Sequence, residues 1–228
     1  MKGAIKQQQG LSKSSSLSAL AKEALRARII TGEIEADQIY SVPSLAAAFK
    51  VSATPVREAM VELVSEGLVE VVPNQGFRVV HLTDHDLDEI FQIRLMLEVP
   101  AMVEVARGTI SRSDSEHYTR LAEKIERCAE AEDEVGFLVA DRSFHLGLLG
   151  TLHNERLVDI VSSLRDQARL YGVPDLAKRG ELQQSAREHT DLIAAITSHD
   201  PIAVARLAHH HIEHTRGIWA NVTEPRPQ

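Results

Sequence analysis

Four side chains in the C-terminal half of the chain have the chemistry of metal ligands and fall on apolar helical faces. Asp141 and His145 lie one turn apart among Phe137, Leu138, Phe144, Leu148 and Leu149. His189 is in line with Leu182, Ala186, Leu192, Ile193 and Ile196, and His211 with Val204, Leu207, Ala208 and Ile218. A carboxylate among apolar neighbours is costly unless it is paired or bound to a cation. Taken singly, each histidine reads as a core residue satisfied by one hydrogen bond. Taken together, four buried polar groups would need four independent partners, whereas one divalent transition metal would serve them all, the i, i+4 pair supplying two adjacent ligands. Neighbouring histidines differ by 100° of helical phase, which puts His210 with Arg206, Glu213 and His214 on a polar face and His209 between the two faces.

A further charged residue points inward. Arg94 is interleaved with Leu87, Ile90, Leu97 and Ala101, and Glu98 stands one turn on. Two readings are open: a structural buried ion pair, or a guanidinium that clamps the carboxylate of a small effector near the metal.

Helical periodicity predicts the elements that must position these residues, near 84–107, 113–132, 134–150, 154–171, 181–198 and 201–219. Breaks fall at Gly108-Thr109, around Asp133, at Gly150-Thr151 and at Gly172-Val173-Pro174, and Thr83 or Asp84 can cap the first helix. Residues 83–221 should therefore form an antiparallel α-helical bundle, followed by a tail, 222–228. Cys128, the lone cysteine, sits in a helical pattern and reads as a buried bystander.

The first third is organised differently. Residues 1–16 are polar, with Gln and Ser runs, and read as a disordered arm whose Lys2, Lys6 and Lys13 could touch a polyanion. A helix carrying Leu17, Ala21, Ala24, Leu25 and Ile29 on one face stops at Gly32. Pro43–Lys50 reads as a short helix, joined by Val51-Ser52-Ala53 to a second, with Thr54 as cap, Pro55 at the first helical position and Gly67 as the stop. Val56, Ala59, Met60, Leu63 and Val64 make its inner face, leaving Thr54, Arg57, Glu58 and Val61 outward. The β-branched runs Leu68–Val72 and Phe77–Val80 flank Pro73-Asn74-Gln75-Gly76 and predict a hairpin. Residues 17–82 thus read as a winged helix-turn-helix, and the chain as mainly α with a small β-hairpin wing.

The run Val51-Ser52-x-Thr54-Pro55-Val56-Arg57-Glu58-Ala59, then Gly67-Leu68-Val69 and Pro73-Asn74-x-Gly76, resembles the GntR family of bacterial transcription regulators. The resemblance implies double-stranded DNA contact through Ser44, Ser52, Thr54, Arg57, Asn74, Gln75, Gly76 and Arg78, by a homodimer on an inverted-repeat operator. Ala53 stands where the family usually has an Arg that helps to read guanine. Losing such a contact removes about 1–3 kcal/mol of base discrimination, so the implied operator departs from the usual one. Asp141-x-x-Phe144-His145, Asn154, Glu188-His189, Asp200 and His211 resemble the helical FCD-type effector domain of the FadR subfamily, in its metal-binding branch. That resemblance carries the ligand role to Asp141, His145, His189 and His211, with Zn expected and Ni, Co, Fe or Mn also suited to the donor set. It also implies a small organic acid held by the metal and Arg94, and repression as the expected sign. The alternatives are a regulator for which the ion itself is the signal and a metal-dependent hydrolase; an enzyme is not expected.

Charge is unevenly placed in this chain of net charge −8: residues 1–82 carry 9 Lys and Arg against 8 Asp and Glu, residues 83–228 carry 16 against 25. Phosphate contact must then come from a few placed side chains and helix N-termini. No apolar run approaches membrane-spanning length, and Met1–Gln9 lacks a signal-peptide core, so a cytoplasmic protein without a membrane partner is expected.

Overall fold

A computed structural model describes residues 12–36, 38–108, 110–170 and 181–220. It divides the chain into two compact units, one built from residues up to 80 and the other from His81 onward, with residues 30–33 counted in the second.

The first unit opens with α1, Ser12–Ile30. This helix starts within the stretch expected as an arm; residues 1–11, with Lys2 and Lys6, lie outside the described residues. Leu25 and Ile29 are buried, but Leu17 is 50% exposed and does not join the inner face as expected. The buried Arg26 pairs with Glu23 and with Glu66, and Lys22 pairs with Glu62 at 2.5 Å, so α1 is tied to the far end of the third helix. Next come β1, Ile39–Tyr40, and α2, Val42–Phe49. Ser41 caps α2 through Ser44 N–H at 3.2 Å.

The turn between α2 and α3, Ala53–Ser65, follows from a helix-ending motif. Lys50 takes φ +55°, its N–H bonding Ala47 O at 3.2 Å and Val51 N–H bonding Ala46 O at 3.1 Å. Gly67, at φ +73°, ends α3 the same way, with Leu68 N–H on Leu63 O at 3.0 Å and Gly67 N–H on Val64 O at 3.0 Å. The start of α3 differs from expectation. Ser52 is the N-cap residue and makes no side-chain capping bond, so Thr54 is not the cap and Pro55 is third, not first, in the helix. Pro55 is tolerated there because N–H groups of the first turn have no intrahelical acceptor to lose.

The hairpin of β2, Val69–Val72, and β3, Gly76–Val79, gains a strand that the sequence did not suggest: β1 pairs antiparallel with β3, giving the order β1-β3-β2. Two residues are too few for an alternating pattern to register. At the wing tip, Gln75 N–H bonds Val72 O at 3.1 Å and Asn74 adopts φ +61°, which suits the third position of a Pro-initiated type II turn. Gly76 has φ +144°, and a Cβ there would collide with the carbonyl oxygen of Tyr40.

In the second unit, α4 is Asp84–Arg107, α5 Arg112–Glu130, α6 Glu134–Gly150 and α7 Glu155–Ala168. The last two helices are α8, Glu181–Thr197, and α9, Pro201–Ala220. The break at Gly172-Val173-Pro174, Thr109 and the tail lie outside the described residues. Thr83 caps α4 in a reciprocal box with Asp86: Thr83 N–H donates to Asp86 Oδ2 at 2.8 Å and Asp86 N–H to Thr83 Oγ1 at 3.2 Å. The connections between α5 and α6, α6 and α7, and α8 and α9 are short enough to fold each helix back on its predecessor. α9 packs along α4 and α8, α5 along α6 and α8, and α7 against α4 and α6. Cys128 is buried in this core; burial, reinforced by Asp133, raises its thiol pKa and keeps it protonated and unreactive.

Gly76→Ala should destabilise the winged unit by about 1–3 kcal/mol, because the positive φ and the Tyr40 carbonyl both oppose a side chain. Gly150→Ala, which meets nothing within 4 Å at the end of α6, should be neutral or slightly stabilising. Thermal unfolding of the two variants beside the parent checks the contrast.

Candidate functional site

The structure brings Asp141, His145, His189 and His211 together. The residues are 3%, 2%, 1% and 4% exposed, and one ligand atom from each lies within 4.8 Å of all the others. His145 Nε2 is 3.0 Å from His189 Nε2, His189 Nε2 is 3.1 Å from Asp141 Oδ1, and His145 Nε2 is 3.8 Å from the same oxygen. Zn–N bonds of about 2.0–2.1 Å imply ligand–ligand edges of roughly 3.3 Å in a tetrahedron. The measured separations bracket that edge.

Three of the four donors are oriented from behind. His189 Nδ1–H points at the carbonyls of Ser185, 2.9 Å, and Ala186, 3.2 Å, which leaves its Nε2 as a lone pair facing the cluster. His211 Nδ1–H donates to Glu188 Oε2 at 2.7 Å, leaving Nε2 free. Asp141 Oδ2 accepts from Arg165 at 2.8 Å and from Arg169, leaving Oδ1 toward the imidazoles. His145 Nδ1 is buried with no hydrogen-bond partner among the described residues. One proton on His145 Nε2 could satisfy His189 but not the remaining acceptors, so the cluster suits a shared cation better than it suits a hydrogen-bonded core.

Protonation states agree with that donor set. Burial, aided by the Arg165 charge, pushes His145 well below the ordinary imidazole value. Burial likewise lowers His211 to about 4, outweighing Glu188. Burial alone would raise Asp141, yet Arg169 and Arg165 hold it well below the usual carboxylate range. His145 and His211 therefore present neutral imidazoles and Asp141 a carboxylate, the forms that bind a metal. Phe144 closes the α5 side, its ring edge-on to His145 at 5.2 Å and to His189 at 5.1 Å.

Around the cluster runs a buried charge network. Arg94 Nε donates to Glu98 Oε1 at 2.6 Å, Arg165 Nη1 donates to Glu98 Oε2 at 2.7 Å, and Arg165 continues to Asp141. Three guanidiniums, Arg94, Arg165 and Arg169, thus share the carboxylates of Glu98 and Asp141, while a third buried carboxylate, Asp166, accepts from Arg142. Glu98 pairs with Arg94 as its spacing predicts, and Arg165 and Arg169 are members of the network that the sequence reading does not name. Their signal was present: Arg165 follows Val161 at i+4, and both are buried on α7.

The residues expected at DNA lie in the other unit. Ser44, Ser52, Thr54, Arg57, Asn74, Gln75 and Arg78 are exposed and Gly76 half-buried. Arg57 makes no hydrogen bond or ion pair among the described residues. Arg78 lies opposite Glu70 on β2 and its Nε donates to it at 2.8 Å.

A winged helix-turn-helix with an exposed second helix, followed by a separate helical unit with a buried polar centre, is the architecture of a DNA-binding regulator. Sequence comparison specifies the class. The profile of bacterial regulatory proteins of the gntR family matches residues 17–79, and that of the FCD domain residues 89–214. The chain is 30% identical over 167 residues to the Nta operon transcriptional regulator of Aminobacter aminovorans, covering 72% of this chain and 77% of that one. It is 26% identical over 200 residues to the Gluconate operon transcriptional repressor of Bacillus licheniformis, covering 85% and 81%. The solved structure of E. coli McbR/YncC superposes with a TM-score of 0.79 at 24% identity, over 90% of this chain and 97% of that one, and so shares the fold. The protein belongs to the GntR family of bacterial transcription regulators, with an FCD domain that fits the FadR subfamily. Among the described residues no helix is long and apolar enough to cross a membrane.

Stability should depend on pH through the cluster. His145 and His211 have native pKa values below the ordinary 6.5, so the unfolded chain binds their protons first. The stabilisation is fully present above 6.5 and is lost as pH falls toward about 4, by up to about 1.4 kcal/mol per pH unit for each group. A melting midpoint flat above pH 7 and falling between 6.5 and 4 is the expected profile for chelated protein; a flat acid limb would contradict it.

Proposed function

We propose that this GntR-family regulator is a repressor whose operator affinity is set by a small organic acid bound beside a divalent metal in the FCD domain. The observation that carries the reading is the convergence of three imidazoles and one carboxylate within an arginine-rich, water-poor core. In this reading His145, His189, His211 and Asp141 Oδ1 hold the ion, Zn being the expected occupant. The ion supplies a Lewis-acidic site for one carboxylate oxygen. Arg94, whose only hydrogen bond among the described residues is the one from Nε to Glu98, has its terminal nitrogens available for the acid. The guanidiniums of Arg94, Arg165 and Arg169 so close to the cluster favour an anion over a neutral ligand.

At the other end, two copies of the chain would bind an inverted repeat, with Thr54 and Arg57 in the major groove and Asn74, Gln75 and Gly76 of each wing at the backbone or minor groove. An acid that binds one arrangement of the FCD domains more tightly shifts the dimer toward it, and DNA affinity changes by the same coupling free energy. Named repressors among the relatives support the sign of regulation.

Two experiments test this. A ligand at a hundred times its Kd stabilises the native state by about 2.7 kcal/mol. Melting the protein against a panel of small carboxylates should thus reveal an acid that raises the midpoint, and chelation or Arg94→Ala should abolish that rise. An acid that stabilises the chelated protein equally would remove the metal from the effector site. Separately, Arg57→Ala should weaken operator binding by about 1–3 kcal/mol with the melting midpoint unchanged. Undiminished binding would displace Arg57 from base readout.

A further inference from the structure

Outside the buried centre, α8 and α9 bring a second set of ligand-type side chains together at the surface. His210 and His214, one turn apart on α9, have rings within 14° of parallel and 5.9 Å between centroids. Glu188 of α8 faces both: its Oε1 lies 2.6 Å from His214 Nδ1 and 3.5 Å from His210 Nε2. One ligand atom from each of the three lies within 4.8 Å of the other two. The Glu188 side chain is 11% exposed, that of His214 18% and that of His210 60%, so the group opens to solvent on one side. Two imidazoles at i, i+4 and a carboxylate from the adjoining helix make a three-donor face, with open positions for water.

We propose that Glu188, His210 and His214 form a second divalent transition-metal site, at the surface of the FCD domain and distinct from the buried four. It stands on its own residues, whether or not the buried centre holds an ion. Glu188 links the two: Oε1 faces the surface histidines while Oε2 accepts from Nδ1–H of His211 at 2.7 Å. A surface ion withdraws electron density from the carboxylate that orients His211. Outer partners of this kind alter metal affinity about 10–100-fold when removed. The surface site therefore tunes the buried one according to the free metal concentration.

The test uses tag-free full-length protein and Zn(II) as the only ligand. Protein dialysed against rising free Zn(II) is assayed for bound metal by elemental analysis, beside the double variant His210→Ala/His214→Ala and the variant Glu188→Gln. We expect the wild type to reach two equivalents per chain and the double variant to stop at one, with its metal-free melting midpoint unchanged. Glu188→Gln, which keeps the shape of the side chain but not its charge, should weaken the second equivalent at least tenfold. A wild type holding one equivalent and a double variant holding none would support the surface site and sink the buried-centre reading. A wild type that saturates at one equivalent retained by the double variant, or a double variant that still reaches two, would overturn this proposal.

Discussion

The Asp141 carboxylate is the constraint on which the FCD domain turns. It is nearly inaccessible to water, and its two oxygens do different work: Oδ2 accepts from Arg165 of α7 and from Arg169 just after it, and Oδ1 faces the imidazoles of His145 and His189. Arg165 carries the charge onward to Glu98, which is shared with Arg94, so α4, α6 and α7 are joined by one alternating chain of charges. Removing one partner from such a buried pair costs about 3–5 kcal/mol, because the other charge is left uncompensated. An apolar replacement of the whole set could match its stability. What the charges add is one orientation for each side chain.

Around that network the helices are held by ordinary means. Thr83 and Asp86 cap α4 reciprocally, and Ser111, Asp133 and Asn154 cap the next three helices through their own side chains. Phe144, fully buried, packs edge-on to two of the histidines and to Tyr118 of α5, so apolar packing and ligand orientation share one residue. The DNA-binding unit stands in contrast. Its core is mainly aliphatic, with Met60 and Phe77, Arg26 is its buried charge among the described residues, tied to Glu23 and Glu66, and Arg57 is left to solvent at the N-terminal half of α3. A chain with net charge −8 can therefore bind a polyanion, since its acidity lies mostly beyond residue 82.

Much of this was legible in the residue pattern. Helical phase alone put His189 and His211 inward, separated His211 from His209 and His210, and marked Arg94 and Glu98 as partners. The misses have local causes. The cap of α3 was misplaced by two residues because Ser52 and Thr54 are both good cap types, and only the backbone shows which lies outside the helix. Strand β1 is two residues long and exists through its pairing with Gly76–Val79. Arg165 and Arg169 are hard to read from the sequence because arginine on or beside an amphipathic helix ordinarily reaches for water; that their head groups turn inward depends on carboxylates 67 and 24 residues away for Arg165, and 28 away for Arg169.

By itself, then, the sequence determined the two kinds of unit, the family, the phase of each helix and the types of donor available, because these follow from periodicity and from spacing within a turn. Tertiary structure alone decided which donors meet. His145, His189 and His211 come from three helices, and their convergence on Asp141 Oδ1 depends on how those helices pack. It also decided that Glu188 stands between two histidine clusters, since the helical phase of α9 says nothing about what α8 places opposite it.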